Sequence, residues 1–308
     1  MTSARTPLPT DLVALVSFDG RVYPNEARPF ERLGLHDRAR PLENALEQWF
    51  SFATGKHTWV SVHGATIRGL ISARRRTKAS AWEVEVLIDA SEDESVALSL
   101  FGRMTAGVIK QGAERVFLRL DADSGLEDVA RSGGFFKYGT ETLYRRESKH
   151  WRPSGEGDLP LRSKGKSDAF GIYQLYNACV PANVRAIEGP TFREWQAAQE
   201  KWGGRTSEML VEQDGLVTGW LRLLAGGVGR LAAMQQDGNY DDLLDGGLDI
   251  LQDREVFCLA PDYNGGLAAS LERHAFEPAG EYICMAKRLT KPVEELKPEH
   301  QSKAVPVG

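Results

Sequence analysis

Asp123-x-x-Leu126-x-x-Val129-x-x-x-x-Gly134-Phe135 and Asn264-x-x-Leu267-x-x-Ser270-x-x-x-x-Ala275-Phe276 decide how this chain is read. Each sets an Asx residue twelve positions ahead of a phenylalanine, and apolar side chains between them recur at helical spacing. An Asx where a strand ends and a helix begins is a natural N-cap, so Asp123 and Asn264 are both expected to cap. Upstream of each lies a short apolar run, at 116–120 and at 255–259, that reads as a strand. Downstream of each lies another, around 142–145 and 281–287.

Working outward through the first half, residues 12–18 form an apolar stretch stopped by Asp19-Gly20, a strand and a turn. Pro41 suits the first position of a helix, and Leu42, Ala45, Leu46, Trp49 and Phe50 share one face up to Gly55. Residues 58–62 and 66–73 are β-branched runs around His63-Gly64, a hairpin. Residues 82–88 alternate, with Val84, Val86 and Ile88 on one side and Glu83, Glu85 and Leu87 on the other, which predicts a strand. Val96, Leu100, Met104 and Val108 then stripe a helix over 95–111, with Gly112 as its C-cap.

The second half follows the same order. Ser167 and Thr191 are expected N-caps of two helices, 209–211, 216–224 and 230–234 are strand candidates, and 240–251 reads as a helix despite Gly246 and Gly247. Gly64 and Gly69 correspond to Gly215 and Gly219, a turn glycine and then a glycine early in the next strand. The pattern predicts an internal repeat: a first domain at 1–147, a Gly/Pro/Ser-rich charged linker at 148–166 and a second domain at 167–290. Residues 291–308, charged and proline-containing, read as a disordered tail. Cleavage in the linker is expected to leave two folded fragments.

This order of hairpin, strand, long helix, strand, helix ending in Gly-Phe and final strand resembles the GNAT acyltransferase superfamily, in two copies covering nearly the whole chain. The resemblance implies an α/β (α+β) fold of two tandem units, each a mixed, mostly antiparallel twisted sheet flanked by helices. It implies an acyl-CoA-dependent N-acyltransferase acting on a small amine or a protein amine, with acetyl-CoA or another acyl-CoA as cofactor. The alternative is a catalytically inactive protein of the same fold that binds a ligand or a partner. In the family a splayed pair of strands holds the pantetheine, and a glycine-rich loop at a helix N-terminus receives the pyrophosphate. The loop of the first half, 89–95, carries four carboxylates and no glycine, so a solvated helix cap is the preferred reading there. That of the second half, 235–242, holds one glycine and no basic residue. The cofactor-binding candidates are therefore Met234, Gln235, Gly238 and Asn264, the last either orienting the cofactor or only capping its helix. Glu83 and Glu85 are candidate bases working through water, or solvated residues of an exposed face. The tyrosine that the family places four residues before Gly-Phe is replaced by Ala130 and Leu271.

Composition narrows the rest. A formal net charge of −5 gives no general pull toward nucleic acid or an anionic membrane, although Arg74, Arg75, Arg76 and Lys78 form one short basic run. No apolar stretch approaches the roughly 18–20 residues of a membrane span. Three cysteines without a C-x-x-C and no apolar leader predict reduced thiols and a cytoplasmic protein. Six histidines without ligand spacing predict no metal site. Cys258 and Cys284 are expected as core thiols on neighbouring strands. Trp195, Trp202 and Trp220 are expected to pack in a core or line a pocket. The partner expected is a small-molecule substrate, for a monomer or a homodimer.

Overall fold

The computed structural model describes residues 3–11, 14, 18, 20–25, 56–90, 94–148 and 160–290. The expected helix at 41–55, most of the strand at 12–18 and the tail from 291 lie outside them.

The first half contains β1 (Ser3–Arg5), β2 (Arg21–Pro24), β3 (Lys56–His63), β4 (Thr66–Arg75), β5 (Ala81–Asp89), α1 (Glu94–Ile109), β6 (Arg115–Asp121), α2 (Glu127–Ser132) and β7 (Phe136–Arg146). The second contains β8 (Arg162–Ser163), α3 (Ala169–Cys179), α4 (Ala182–Glu188), α5 (Phe192–Ala198), β9 (Thr206–Gln213) and β10 (Leu216–Ala225). It continues with β11 (Gly229–Gln235), α6 (Asp241–Leu251), β12 (Val256–Pro261), α7 (Gly265–Arg273) and β13 (Glu277–Arg288).

All described strands join one sheet in the order β1-β3-β4-β5-β6-β13-β7-β12-β11-β10-β9-β8, with β2 paired to β5. The two halves thus run outward from the middle in the same sequence, and at the middle they trade their last strands. β13 of the second half pairs with β6, and β7 of the first half pairs with β12. Cys258 and Cys284 are therefore not on adjacent strands, because β7 lies between β12 and β13. Strand spacing alone does not reveal which half a final strand will join.

The glycine correspondence is structural. Gly64 and Gly215 hold positive φ at the hairpin tips, +61° and +76°. A register shift falls immediately before Gly69 and again before Gly219. A β-carbon at Gly69 would meet Val96 Cγ1 at 2.8 Å, so the missing side chain lets α1 close on β4.

One face of the sheet carries α1 and α2 over Trp82, Val84, Leu118 and Met285, and α6 and α7 over Leu221, Leu231, Cys258 and Tyr144. The other carries α3, α4 and α5. Phe135 packs against Phe101 with ring centroids 5.3 Å apart and the planes tilted by 56°, and Phe276 is equally buried in its own half, which explains the shared phenylalanine.

Several local readings change. A register shift between Ser72 and Ala73 leaves Glu85 as an extra residue of β5, so the alternation breaks there. Leu87 joins Trp82 and Val84 beneath α1, while Val86 and Ile88 face the opposite side. Asp123 does not cap α2: its own N–H is taken by Asp121 Oδ1 at 2.9 Å, Gly125 turns left-handed, and the helix starts at Glu127. Ser167 does not cap α3 either, because Asp168 reaches back to the Gly165 N–H through a 3-10 turn. Thr191 and Asn264 do cap, accepting from Glu194 N at 3.3 Å and Leu267 N at 3.1 Å.

Candidate functional site

Each half parts two parallel strands. β5 and β6 pair only from Ala81 opposite Arg115 to Glu83 opposite Phe117. β11 and β12 pair only from Gly229 opposite Val256 to Leu231 opposite Cys258. Beyond those points backbone groups need other partners. In the first half the chain supplies them itself. β4 occupies one edge of β5, and β2 pairs along the other from Arg21 opposite Asp89 to Pro24 opposite Val86. Asn25 finishes the plug at the bulge: its N–H donates to Glu85 O at 2.8 Å, and its Oδ1 accepts from Arg119 Nη1 at 3.0 Å. In the second half no described strand pairs with β11 beyond Leu231 on that edge.

The four cofactor candidates gather at this second gap. Met234 packs among the side chains beneath α3, opposite Trp220. The Gln235 carbonyl accepts from Cys179 Sγ at 3.5 Å, and its Oε1 is buried with no hydrogen-bond partner among the described residues. Asn264 donates from Nδ2 to the Tyr240 hydroxyl at 2.8 Å while capping α7. Gly238 turns with φ +77°, and its carbonyl leaves no room for a β-carbon on Gly266.

The gap suits an amide-bearing arm such as pantetheine, which can pair with the β11 edge; the Gln235 side-chain oxygen lies instead over Gly219 of β10. The turn at its end does not suit a diphosphate. Asp237 Oδ1 takes the Asn239 N–H at 3.0 Å, and Asn239 Oδ1 takes the Asp241 N–H at 3.2 Å. Asp241 and Asp242 already stand at the start of α6, and the nearby Arg273 is clamped on Asp241. Two backbone donors of the turn are thus spent within it, and its side chains add negative charge.

Glu83 and Glu85 are buried, and the bulge turns Glu85 aside. Arg74 Nε contacts Glu83 at 2.9 Å and Glu85 at 3.0 Å, and Arg76 Nε reaches the other Glu83 oxygen at 3.1 Å. Arg74 and Arg76 of the basic run therefore serve carboxylates of their own sheet, while Arg75 lies over the Trp82 ring at 6.0 Å. Alongside, Glu200, between α5 and β9, reaches Arg119 at 3.1 Å, Arg230 at 3.0 Å and Arg76 at 3.6 Å. Trp195 and Trp220 pack beneath α3, whereas Trp202 lies under the guanidiniums of Arg222 and Arg230, at 4.5 and 4.2 Å.

Sequence reasoning missed α4 and the carboxylate that ends it. Glu188 Oε2 accepts from the Tyr176 hydroxyl at 3.2 Å, with the phenol of Tyr138 on β7 nearby. Burial, with Glu141 adding repulsion, pushes its pKa up to about 7, against a smaller opposing pull from Arg76. The C-terminal carbonyls of α4 are held from elsewhere in the sheet. Arg115 Nη1 donates to Ile187 O and Glu188 O, both at 2.9 Å, and Arg288 reaches Ala186 O. Gly189 lets this end of α4 press on α5, since a β-carbon there would lie 2.4 Å from Trp195 Cα. No short motif marks Glu188; its one local cue is the following Gly189-Pro190, a helix stop.

The raised pKa has a testable sign. A carboxyl that holds its proton more tightly when folded favours the fold below its unfolded pKa near 4.3, and that stability is lost as pH rises toward 7. Glu188→Gln should therefore match the parent near pH 4 and exceed it by roughly 2–3 kcal/mol at pH 8. Urea melts across pH check this; an unchanged difference would mean that Glu188 is solvated.

The chain has the fold of the GNAT acyltransferases, two such units sharing one sheet. It is similar to a GCN5-related N-acetyltransferase from Sphaerobacter thermophilus, at 14% identity and a TM-score of 0.55 over 93% of this chain and 95% of that one. It is likewise similar to the tandem GNAT protein from the clavulanic acid biosynthesis pathway, at 13% identity and a TM-score of 0.51 over 94% and 98%. At such identities the likeness establishes the fold. No protein-family model and no curated protein matches the sequence. Among the described residues no helix is long and apolar enough to cross a membrane, and no group of side chains is arranged for a metal ion.

Proposed function

We propose that this protein is a GNAT-type N-acyltransferase, taking acetyl-CoA or another acyl-CoA as donor, with its one working gap between β11 and β12. The observation that carries the reading is the asymmetry of the two gaps: β2 fills the first, and no described strand fills the second. Glu83 and Glu85, the bases expected from sequence, are committed to arginines. Glu188 replaces them in this reading, since a carboxyl poised near 7 can take the proton of an ammonium at neutral pH. Tyr176 orients that carboxylate. The bound donor would supply an activated acyl carbonyl.

A second reading, a catalytically inactive protein of this fold, is favoured by the carboxylate-lined turn before α6. Titration calorimetry with acetyl-CoA on the full chain separates the two. The enzyme reading expects one equivalent bound, and Asn264→Asp should weaken binding at least tenfold. Aspartate still caps α7, so the melting temperature should stay within a few degrees. Two equivalents would show that β2 yields its place. No binding at all would leave the inactive reading.

A further inference from the structure

The gap between β11 and β12 offers backbone along its side and is bridged at its far end. Gly229 N donates to Glu255 O at 2.7 Å, so every second residue of β11 turns its peptide groups toward β12. Leu231 makes the last such pair, with Cys258, and the peptide groups of Ala233 then face the gap. Those of Gln235 follow, with the carbonyl already accepting from Cys179 Sγ. Beyond them Asn264 Nδ2 reaches across to the Tyr240 hydroxyl at 2.8 Å. A β-carbon on Gly266 would lie 2.5 Å from Gly238 O, so the turn after β11 rests directly on the start of α7.

Acidic side chains stand at that end. Asp237 and Asp242 are exposed, Asp241 is held by Arg273 at 2.8 Å, and His274 Nδ1 lies 3.8 Å from the same carboxylate. Three backbone N–H groups there are taken, Gln236 N by Thr218 O, Asn239 N by Asp237 Oδ1 and Asp241 N by Asn239 Oδ1. Arg185 of α4 reaches α3, where its Nη1 donates to Asn177 Oδ1 at 2.8 Å. Its Nε is buried with no hydrogen-bond partner among the described residues.

We propose that this gap recognises a donor by its amide-bearing arm alone, and that the preferred donor is an acyl thioester of an uncharged pantetheine-type arm. The inference rests on the reading that the β11–β12 gap binds the donor. An amide of the arm pairs with the peptide groups of Ala233, which otherwise face an open gap. Where the arm ends, a phosphate meets Asp237 and Asp242, and each carboxylate within about 8 Å of it lowers affinity several-fold. An arm esterified through phosphate, to a nucleotide or to a carrier protein, brings that charge to the same place. Acetyl-CoA therefore enters by its arm and gains nothing from its nucleotide.

Calorimetry on the full chain tests this with three probes: S-acetylpantetheine, its 4′-phosphate and acetyl-CoA. Affinity should fall in that order, by at least tenfold from first to last, and added salt should narrow the difference by screening the repulsion. Replacing both exposed carboxylates, Asp237→Asn with Asp242→Asn, should tighten acetyl-CoA at least threefold and leave S-acetylpantetheine within twofold. Acetyl-CoA binding as tightly as S-acetylpantetheine, or more tightly, would overturn the proposal and leave the coenzyme A reading standing. So would a tenfold loss of acetyl-CoA alone in Arg185→Gln, since that cation would then receive the phosphates. S-acetylpantetheine binding without acetyl-CoA binding would uphold the proposal and remove coenzyme A as the donor. No binding of any probe would sink both readings.

Discussion

Glu200→Ala is expected to lower stability by about 3–5 kcal/mol, the usual cost of removing one partner from a buried ion pair. For a chain of this size that is a fall of roughly 10 °C in melting temperature. Glu200 sits where the two halves meet, touching Arg76 and Arg119 on the first side and Arg230 on the second. Arg119 and Arg76 keep Glu141 and Glu83, so the loss falls on the link between the halves. Adjacent hydrogen bonds to backbone carbonyls run the same way, with Thr77 N donating to Gln199 O at 3.1 Å and the Arg76 side-chain Nη1 to Ala198 O at 2.9 Å. Arg273→Ala provides the contrast. It breaks an exposed pair with Asp241 and should cost under about 1 kcal/mol. A Glu200→Ala melt within two degrees of the parent would show that water already screens this cluster.

Cutting the chain between Ser148 and Pro160, at an inserted protease site, is expected to give a nicked protein that migrates as one species. This alters the expectation of two independent fragments. β7 lies between β12 and β13, both from the second half, and β13 lies between β6 and β7. Separating the pieces would strip β7 of both neighbours and open the edge of β6. Native gel filtration should therefore show a single peak, and two peaks only in denaturant. Two folded, separable fragments in native buffer would mean that each half can complete its own sheet. The division at 148–166 remains our proposal for where the halves join.

Local chemistry made much of the fold legible. Turn glycines at positions 64 and 215, the Thr191 and Asn264 caps, and the stripe from Val96 to Val108 all act within a few residues. What was illegible depends on distant partners. The bulge at Glu85 is set by register against Ser72 and Ala73, and it turned an apparent alternation into a change of face. Glu83 read as a possible base because nothing nearby in sequence announces that Arg74 and Arg76 will fold back onto it. The Met234-to-Asn264 candidates were brought together because they follow two strands that part. Glu188 gave no such signal: its raised pKa comes from burial and from Glu141, on elements that sequence cannot bring together.

The trading of final strands also bears on how the molecule comes off the ribosome. Arg115 of β6 pairs with Arg288, so β6 waits for almost the entire described chain before that edge is covered. Chains emerge N-terminus first, and pairing across such separations closes slowly. For that interval the growing chain presents β6 and β7 as open edges, ready to pair with a second nascent copy. Slow translation or low temperature should thus favour an intertwined dimer, in which the β13 of one copy completes the sheet of another.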